Sequence, residues 1–194
     1  MNHDSYDNTY IGGILNSVKT IAMVGASAND VRPSYFVLKY LLAKGFSVVP
    51  INPGQAGKEI LGQMTYASLA DIPGPIDMVD IFRAAAAVPG IVDEVLRLDP
   101  LPKVVWMQLG VRHDEAAARA EAAGIKVVMN RCPKIEYGRL SSEIAWMGVN
   151  SRTLSSKRAP IPTQGMRLSL GRNSVSGGTT EASDRASKNR TDLS

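Results

Sequence analysis

Short apolar runs alternate with stretches of helical spacing along the first 150 residues of this 194-residue chain. Ile21, Ala22, Met23 and Val24 are apolar at successive positions, as a strand covered by helices on both faces must be. The run stops at Gly25 and turns through Ala26, Ser27 and Ala28. It restarts with Val37, Leu38, Leu41 and Leu42 on one helical stripe, and Pro33 suits the first turn of that helix. The same alternation recurs downstream. Residues 46–51 read as a second strand after Gly45, a helix C-terminal cap, and close in the turn Asn52-Pro53-Gly54. Residues 76–82, 103–107 and 125–129 read as three further strands. Val88, Ile91, Val92, Val95 and Leu96 predict a helix between the first two of these, and the alanine-rich stretch 114–123 predicts one before the last. At the two ends, Ile11, Ile14, Leu15 and Val18 predict a short amphipathic helix from Thr9 or Tyr10. Leu140, Ile144 and Met147 place a final helix over 139–149. Residues 59–69 are too broken for a long helix and predict a connection with a short strand or irregular piece, then a helical turn near 68–71. The class is therefore α/β: a doubly wound parallel sheet of about five strands, helices on both faces, joined by right-handed crossovers.

Beyond about residue 150 the periodicity ends. Serine, threonine, glycine and scattered charge replace the large apolar residues, a composition that cannot offset the entropy of ordering. The expected organisation is one domain over 1–149 and a basic, Ser/Gly-rich, disordered tail over 150–194. The charge divides the same way. From Ser151 onward eight Lys or Arg face three acidic residues, a balance of +5, so with +4 overall the first 150 residues sit at −1. The basic character thus belongs to the tail, and the body makes no electrostatic case for nucleic acid. No stretch reaches the roughly 18 to 20 apolar residues of a membrane span. The polar, acidic start lacks the pattern of a signal peptide, and a cytoplasmic protein is expected. The single cysteine, Cys132, excludes an internal disulfide and a multi-cysteine zinc site.

In a doubly wound sheet the ligand sits outside the carboxyl ends of the strands, so the residues just after each strand carry the chemistry. Gly25, Ala26 and Ser27 form a tight turn that resembles a phosphate-binding βα turn, with helix-start amides expected to face an anion. Ser27 adds a hydroxyl and Arg32 a fixed positive charge. Asn52 and Pro53, Phe82 and Arg83, Gln108 and Gly110, and Asn130, Arg131 and Cys132 end the other strands. These groups suit a polar, phosphate-bearing molecule, and no general acid and base pair stands among them. A dinucleotide fingerprint needs G-x-G-x-x-G and an acidic residue ending the second strand. Only Gly25 matches, and Asn52 stands where the acid belongs, which weighs against NAD. Cys132 reads as a partly buried, inert thiol, His113 as a surface residue at a helix start, Trp106 and Trp146 as core, and His3 as part of a mobile segment.

Several motifs occur in one order: Val-Gly-Ala-Ser, Arg32-Pro-Ser34, Pro50-x-Asn52-Pro53, Ile60-Leu-Gly62, Leu69-x-Asp71-Ile-Pro73, Asp77-x-Val-Asp80-Ile-Phe82-Arg83, Trp106-x-Gln108-x-Gly110 and Arg131-Cys132 with Glu136. Over about residues 8–149 the chain resembles the small stand-alone CoA-binding proteins, similar to the CoA-binding domain of the succinyl-CoA synthetase alpha subunit. The resemblance implies a Rossmann-like domain binding coenzyme A or an acyl-CoA. By position, Gly25, Ala26, Ser27, Arg32 and Ser34 would face the phosphates, and Asn52 and Pro53 would flank the nucleotide. Phe82 and Arg83 would line the next strand end, and Gln108 and Gly110 would lie towards the pantetheine arm. His113 departs from the family pattern, where an uncharged amide is expected. The synthetases work through a phosphorylated histidine in a second domain. With only His3 and His113 in this chain, the expectation is a non-catalytic CoA-binding module. The alternatives are an NAD(P)- or nucleotide-dependent enzyme and a partner-dependent subunit of a synthetase-like complex; the residues leave open a homo-oligomer or an unknown protein partner.

Overall fold

The structure, a computed structural model, describes residues 1–141. In chain order the strands are β1 (Thr20–Val24), β2 (Ser47–Ile51), the two-residue β3 (Glu59–Ile60) and β4 (Gln63–Met64), β5 (Met78–Ile81), β6 (Val104–Met107) and β7 (Lys126–Val128). The helices are α1 (Asn8–Ser17), α2 (Pro33–Ala43), α3 (Val88–Val95), α4 (Asp114–Ala122) and α5 (Pro133–Leu140). Five strands form one parallel sheet in the order β2-β1-β5-β6-β7, and β3 and β4 pair as a separate antiparallel hairpin. The expected Rossmann-like α/β architecture is therefore present.

Period-2 alternation divides the sheet residues between two cores. Ile21, Met23, Met78, Val104, Trp106 and Val128 face α1, α2 and α5, with Leu15, Leu38 and Tyr137. Ala22, Val79, Ile81, Val105, Met107 and Val127 face α3 and α4, with Val92 and Ala117. All four residues of both β5 and β6 are buried, which is why β6 reads as a continuous apolar run, while β5 carries the carboxylate of Asp80 inside. The strand order reverses between β1 and β5: the chain passes from β1 through α2 to β2 on one side, then returns to place β5 on the other. A crevice at the carboxyl ends of β1 and β5 follows from that reversal.

The last described helix, Pro133–Leu140, is one the sequence pattern does not predict: Cys132 is extended (φ −107°, ψ 120°) and Pro133 starts the helix at once. Beyond residue 141 the expected 139–149 helix, with Ile144, Trp146 and Met147, lies outside the described residues, as do the domain boundary near 149 and the 150–194 tail. One expectation is corrected: the segment around His3 is not free. His3 is buried, its Nδ1 is 2.8 Å from the Tyr6 hydroxyl, and its Nε2 lies 3.3 Å from the Glu121 carboxylate. The reason is aromatic anchoring. Tyr6 and Tyr10 stack with centroids 5.9 Å apart, the Met129 N–H donates to the Tyr6 hydroxyl (2.7 Å), and the Tyr10 hydroxyl donates to the Val127 carbonyl (3.2 Å).

Candidate functional site

Gly25 ends β1 with φ +90°, in the left-handed region that favours glycine. A Cβ there would stand 2.5 Å from the Phe82 carbonyl oxygen and 2.9 Å from Arg83 Cδ. The absent side chain is thus what lets the ends of β1 and β5 approach each other. Asn52, at the end of β2, ties the same turn from the other side: its Nδ2 donates to the Ala26 carbonyl (2.7 Å) and its Oδ1 accepts from Gly54 N–H (3.0 Å). With both ends of its amide engaged, Asn52 holds the turn's shape as well as standing where a dinucleotide site would carry an acid.

The amides of this turn differ from expectation. Gly25 and Ala26 N–H both donate to the Ile51 carbonyl (2.9 and 3.3 Å), Arg32 N–H to Asn29 (3.1 Å) and Tyr35 N–H to Arg32 (3.0 Å). Pro33 has no N–H. In the first turn of α2 only the Ser34 amide is left without a backbone acceptor among the described residues, so backbone amides supply less of an anion site than a glycine turn suggests. Side chains supply more. Arg32 is the N-cap of α2 and makes no capping bond, the first turn holds no acid, and neither Arg32 nor Arg83 forms an ion pair among the described residues. The Ser27 Oγ accepts from Asn29 N–H (3.1 Å), leaving its own O–H to donate.

Gly25, Ala26, Ser27, Arg32, Ser34, Asn52, Phe82, Arg83 and Gln108 all line one cleft of about 660 Å³, with Pro33, Val37, Leu109, Val111 and Cys132. Two other expected residues lie elsewhere. Pro53 lines a recess of about 200 Å³ that shares Gly25 and Arg83 with the cleft. Gly110 lines neither; its φ is +77° and its N–H donates to Asn130 Oδ1 (2.8 Å), so it shapes the turn after β6.

Asp80 is the residue that the sequence reading did not assign to the site. It is fully buried in β5, and Gln108 Nε2 donates to both its oxygens (2.9 and 3.1 Å). Burial pushes its carboxyl up to about 7, against the opposing pull of the Gln108 hydrogen bond. The signal was available: a carboxylate inside a run otherwise buried on both faces. Burial raises the Cys132 thiol as well, with a smaller contribution from the Asp80 charge, which keeps it protonated at neutral pH. His113 is the N-cap of α4, its Nδ1 accepting from Ala116 N–H (3.2 Å). Among the described residues no cluster of three or more His, Cys, Asp or Glu could hold a metal ion, and no helix is long and apolar enough to cross a membrane.

The cleft residues can hold a polyanion with two arginines and two hydroxyls, and a polar chain against Gln108. Comparison with known proteins agrees with that chemistry. The chain is 36% identical over 124 residues to the uncharacterized protein YneT of Bacillus subtilis, covering 64% of this chain and 89% of that protein. It is 30% identical over 147 residues to the ADP-forming acetate–CoA ligase I of Archaeoglobus fulgidus, covering 72% of this chain but only 21% of the ligase. Among solved structures, a hypothetical protein from Pyrococcus horikoshii superposes with a TM-score of 0.67 at 37% identity, covering 72% of this chain and 96% of that one. A Thermus thermophilus protein does so with a TM-score of 0.65 at 38% identity, covering 69% and 98%. Residues 19–138 match the family model described as a CoA binding domain, and the chain belongs to that family.

Proposed function

We propose that the chain binds coenzyme A or an acyl-CoA in the cleft at the ends of β1, β2, β5 and β6, as a non-catalytic module working in the cytoplasm. One observation carries this reading. Nine side chains and backbone positions from four separate strand ends converge on one cleft, in a chain that belongs to the CoA binding domain family. Arg32 and Arg83, without an ion pair among the described residues, supply charge for phosphate groups, Ser27 and Ser34 supply hydroxyl donors, and Gln108 offers an amide to the polar arm. A dinucleotide-dependent enzyme is the weaker reading, since Asn52 replaces the ribose-binding acid and its amide is engaged with the turn.

Calorimetric unfolding with CoA, acetyl-CoA, NAD, NADP and ATP in parallel tests the proposal. A ligand present at a hundredfold excess over its dissociation constant stabilises the fold by about 2.7 kcal/mol. Stabilisation by CoA or acetyl-CoA that vanishes in Ser27→Trp, which fills the mouth of the turn, is the expected result. No shift with any of the five compounds, or an equal shift in the blocked variant, overturns it. The 21% coverage of the acetate–CoA ligase favours one second reading, that the domain serves a larger assembly. A stable partner co-purifying with the chain, with acyl-CoA synthesis only in the complex, would establish that role.

A further inference from the structure

Asp80 has one hydrogen-bond partner among the described residues, and that partner lines the cleft. A buried carboxylate held by a single neutral amide costs more than an apolar side chain of the same volume, so the fold draws no stability from it. Its effect falls on Gln108. A primary amide has a donor end and an acceptor end, and an ionised carboxylate can only accept. Asp80 therefore grips Gln108 by its nitrogen and leaves the carbonyl oxygen as the end available to the cleft.

Taking the CoA reading above as its basis, we infer that Asp80 is a positioning residue: when ionised it makes Gln108 present Oε1 to the ligand and select a hydrogen-bond donor, such as an amide N–H of the pantetheine arm, and when protonated it releases that choice. In the second state the Asp80 carboxyl can donate its O–H to Gln108 Oε1 or accept from Nε2 on its carbonyl oxygen, so either end of the amide can face the cleft. The site thus holds to a donor partner only on the ionised side of one proton. That proton exchanges near neutrality, because burial lifts the carboxyl to about 7.

Few other groups bear on this equilibrium. β1 and β6 place uncharged Met23 and Trp106 at the register positions beside Asp80. The turn before α5 contributes Cys132, whose thiol is raised above its ordinary range and stays neutral through the relevant window. Glu136 of α5 is paired with Arg139 and Arg131, while Arg32 and Arg83 line the cleft wall.

The test is titration calorimetry of CoA against the wild type, Asp80→Asn and Gln108→Met at pH 6 and pH 8. The 3′-phosphate of the ligand also titrates in this range, so the quantity read is the ratio of variant to wild-type dissociation constants at each pH, from which the ligand's own ionisation cancels. An asparagine can pair with either end of the Gln108 amide, so Asp80→Asn loses the orientation lock at every pH. The expected ratio for Asp80→Asn changes about tenfold between pH 6 and pH 8, the effect of one hydrogen bond made or mismatched, and Gln108→Met also loses the wild-type pH dependence. Equal ratios at the two pH values, or wild-type affinity in Gln108→Met at pH 8, overturn the inference while leaving the CoA reading intact. If the wild type binds no CoA at either pH, the CoA reading itself fails. The Gln108 side-chain amide resonances then decide the orientation alone, because they must shift with a midpoint near neutrality in the wild type and stay flat in Asp80→Asn. Resonances that behave alike in both proteins overturn it.

Discussion

Two helices start at the same edge of the sheet, and they start differently. At α4 every need is met from the chain itself: His113 caps the helix, and Asp114 and Glu115 stand in the first turn against the positive end of the dipole. At α2 the cap residue is Arg32, which offers no acceptor, the first turn has no acid, and the Ser34 amide has no backbone acceptor among the described residues. One end is electrostatically complete and the other carries a surplus of positive charge. The difference teaches where an anion can bind. It cannot profit from α4, where carboxylates already occupy the position, and it can profit from α2.

The sharpest way to break the open end is Gly25→Ala. The new Cβ would meet the Phe82 carbonyl at 2.5 Å in a backbone conformation with φ +90°, and a loss of about 3 kcal/mol or more is expected, read as a fall in the thermal midpoint. A destabilisation below about 1 kcal/mol would show that the β1–β5 approach is adjustable. Asp80, between the two helix starts, gives the next effect. Its folded carboxyl binds a proton up to about 7, against 3.8 for an ordinary aspartate, so the folded state holds the extra proton between those values. Its cost to the fold is therefore least below pH 4, where the carboxyl is protonated in both states, and grows as pH rises through 7. Urea unfolding at pH 5 and pH 8 should show Asp80→Asn flattening the resulting decline in stability, by on the order of 2 kcal/mol.

Removing charge from the open end sharpens the contrast further. Arg32→Ala and Arg83→Ala are each expected to weaken CoA binding about tenfold and to reduce its salt dependence, with little change in unfolding. Affinity unaffected by both would move the phosphates away from the α2 start. At the closed end, His113→Ala should cost about 1 kcal/mol of stability through the lost cap and leave CoA affinity unchanged in the same titration. A change in affinity would contradict the assignment of His113 to structure alone.

The open end was legible in the sequence because its signals are local. An apolar run, a glycine and Pro33 at the helix start specify a strand, turn and helix within about twenty residues, and Gly25 at φ +90° is what such a turn requires. Trp106 was legible as core for a similar reason, and its indole N–H finds the Arg131 carbonyl at 2.7 Å. What remained hidden depends on contacts distant in sequence. The helix-start amides are expected to be free, and nothing local shows that Asn29 and Arg32 take two of them, nor that Ile51 takes those of Gly25 and Ala26. Asp80 is a carboxylate in the alternating run Asp77-Met-Val-Asp-Ile-Phe, and what no local pattern shows is the Gln108 amide, 28 residues on, that holds it. The helix Pro133–Leu140 carries no clear apolar stripe, and Pro133 opens it directly after an extended Cys132. His3 looked mobile in a polar segment, and only Tyr6 and Tyr10, anchored more than a hundred residues away, hold it down.

Those two tyrosines do more than fix the chain's start. β7 is the last strand of the sheet, and its Val127 carbonyl and Met129 N–H point away from β6, as a row that another strand could extend. The Tyr10 hydroxyl donates to the first and the Tyr6 hydroxyl accepts from the second, so side chains occupy the ladder that a neighbouring molecule would otherwise complete. The N-terminal segment is in this sense a guard against edge-to-edge aggregation, and it closes that border of the sheet without adding a strand.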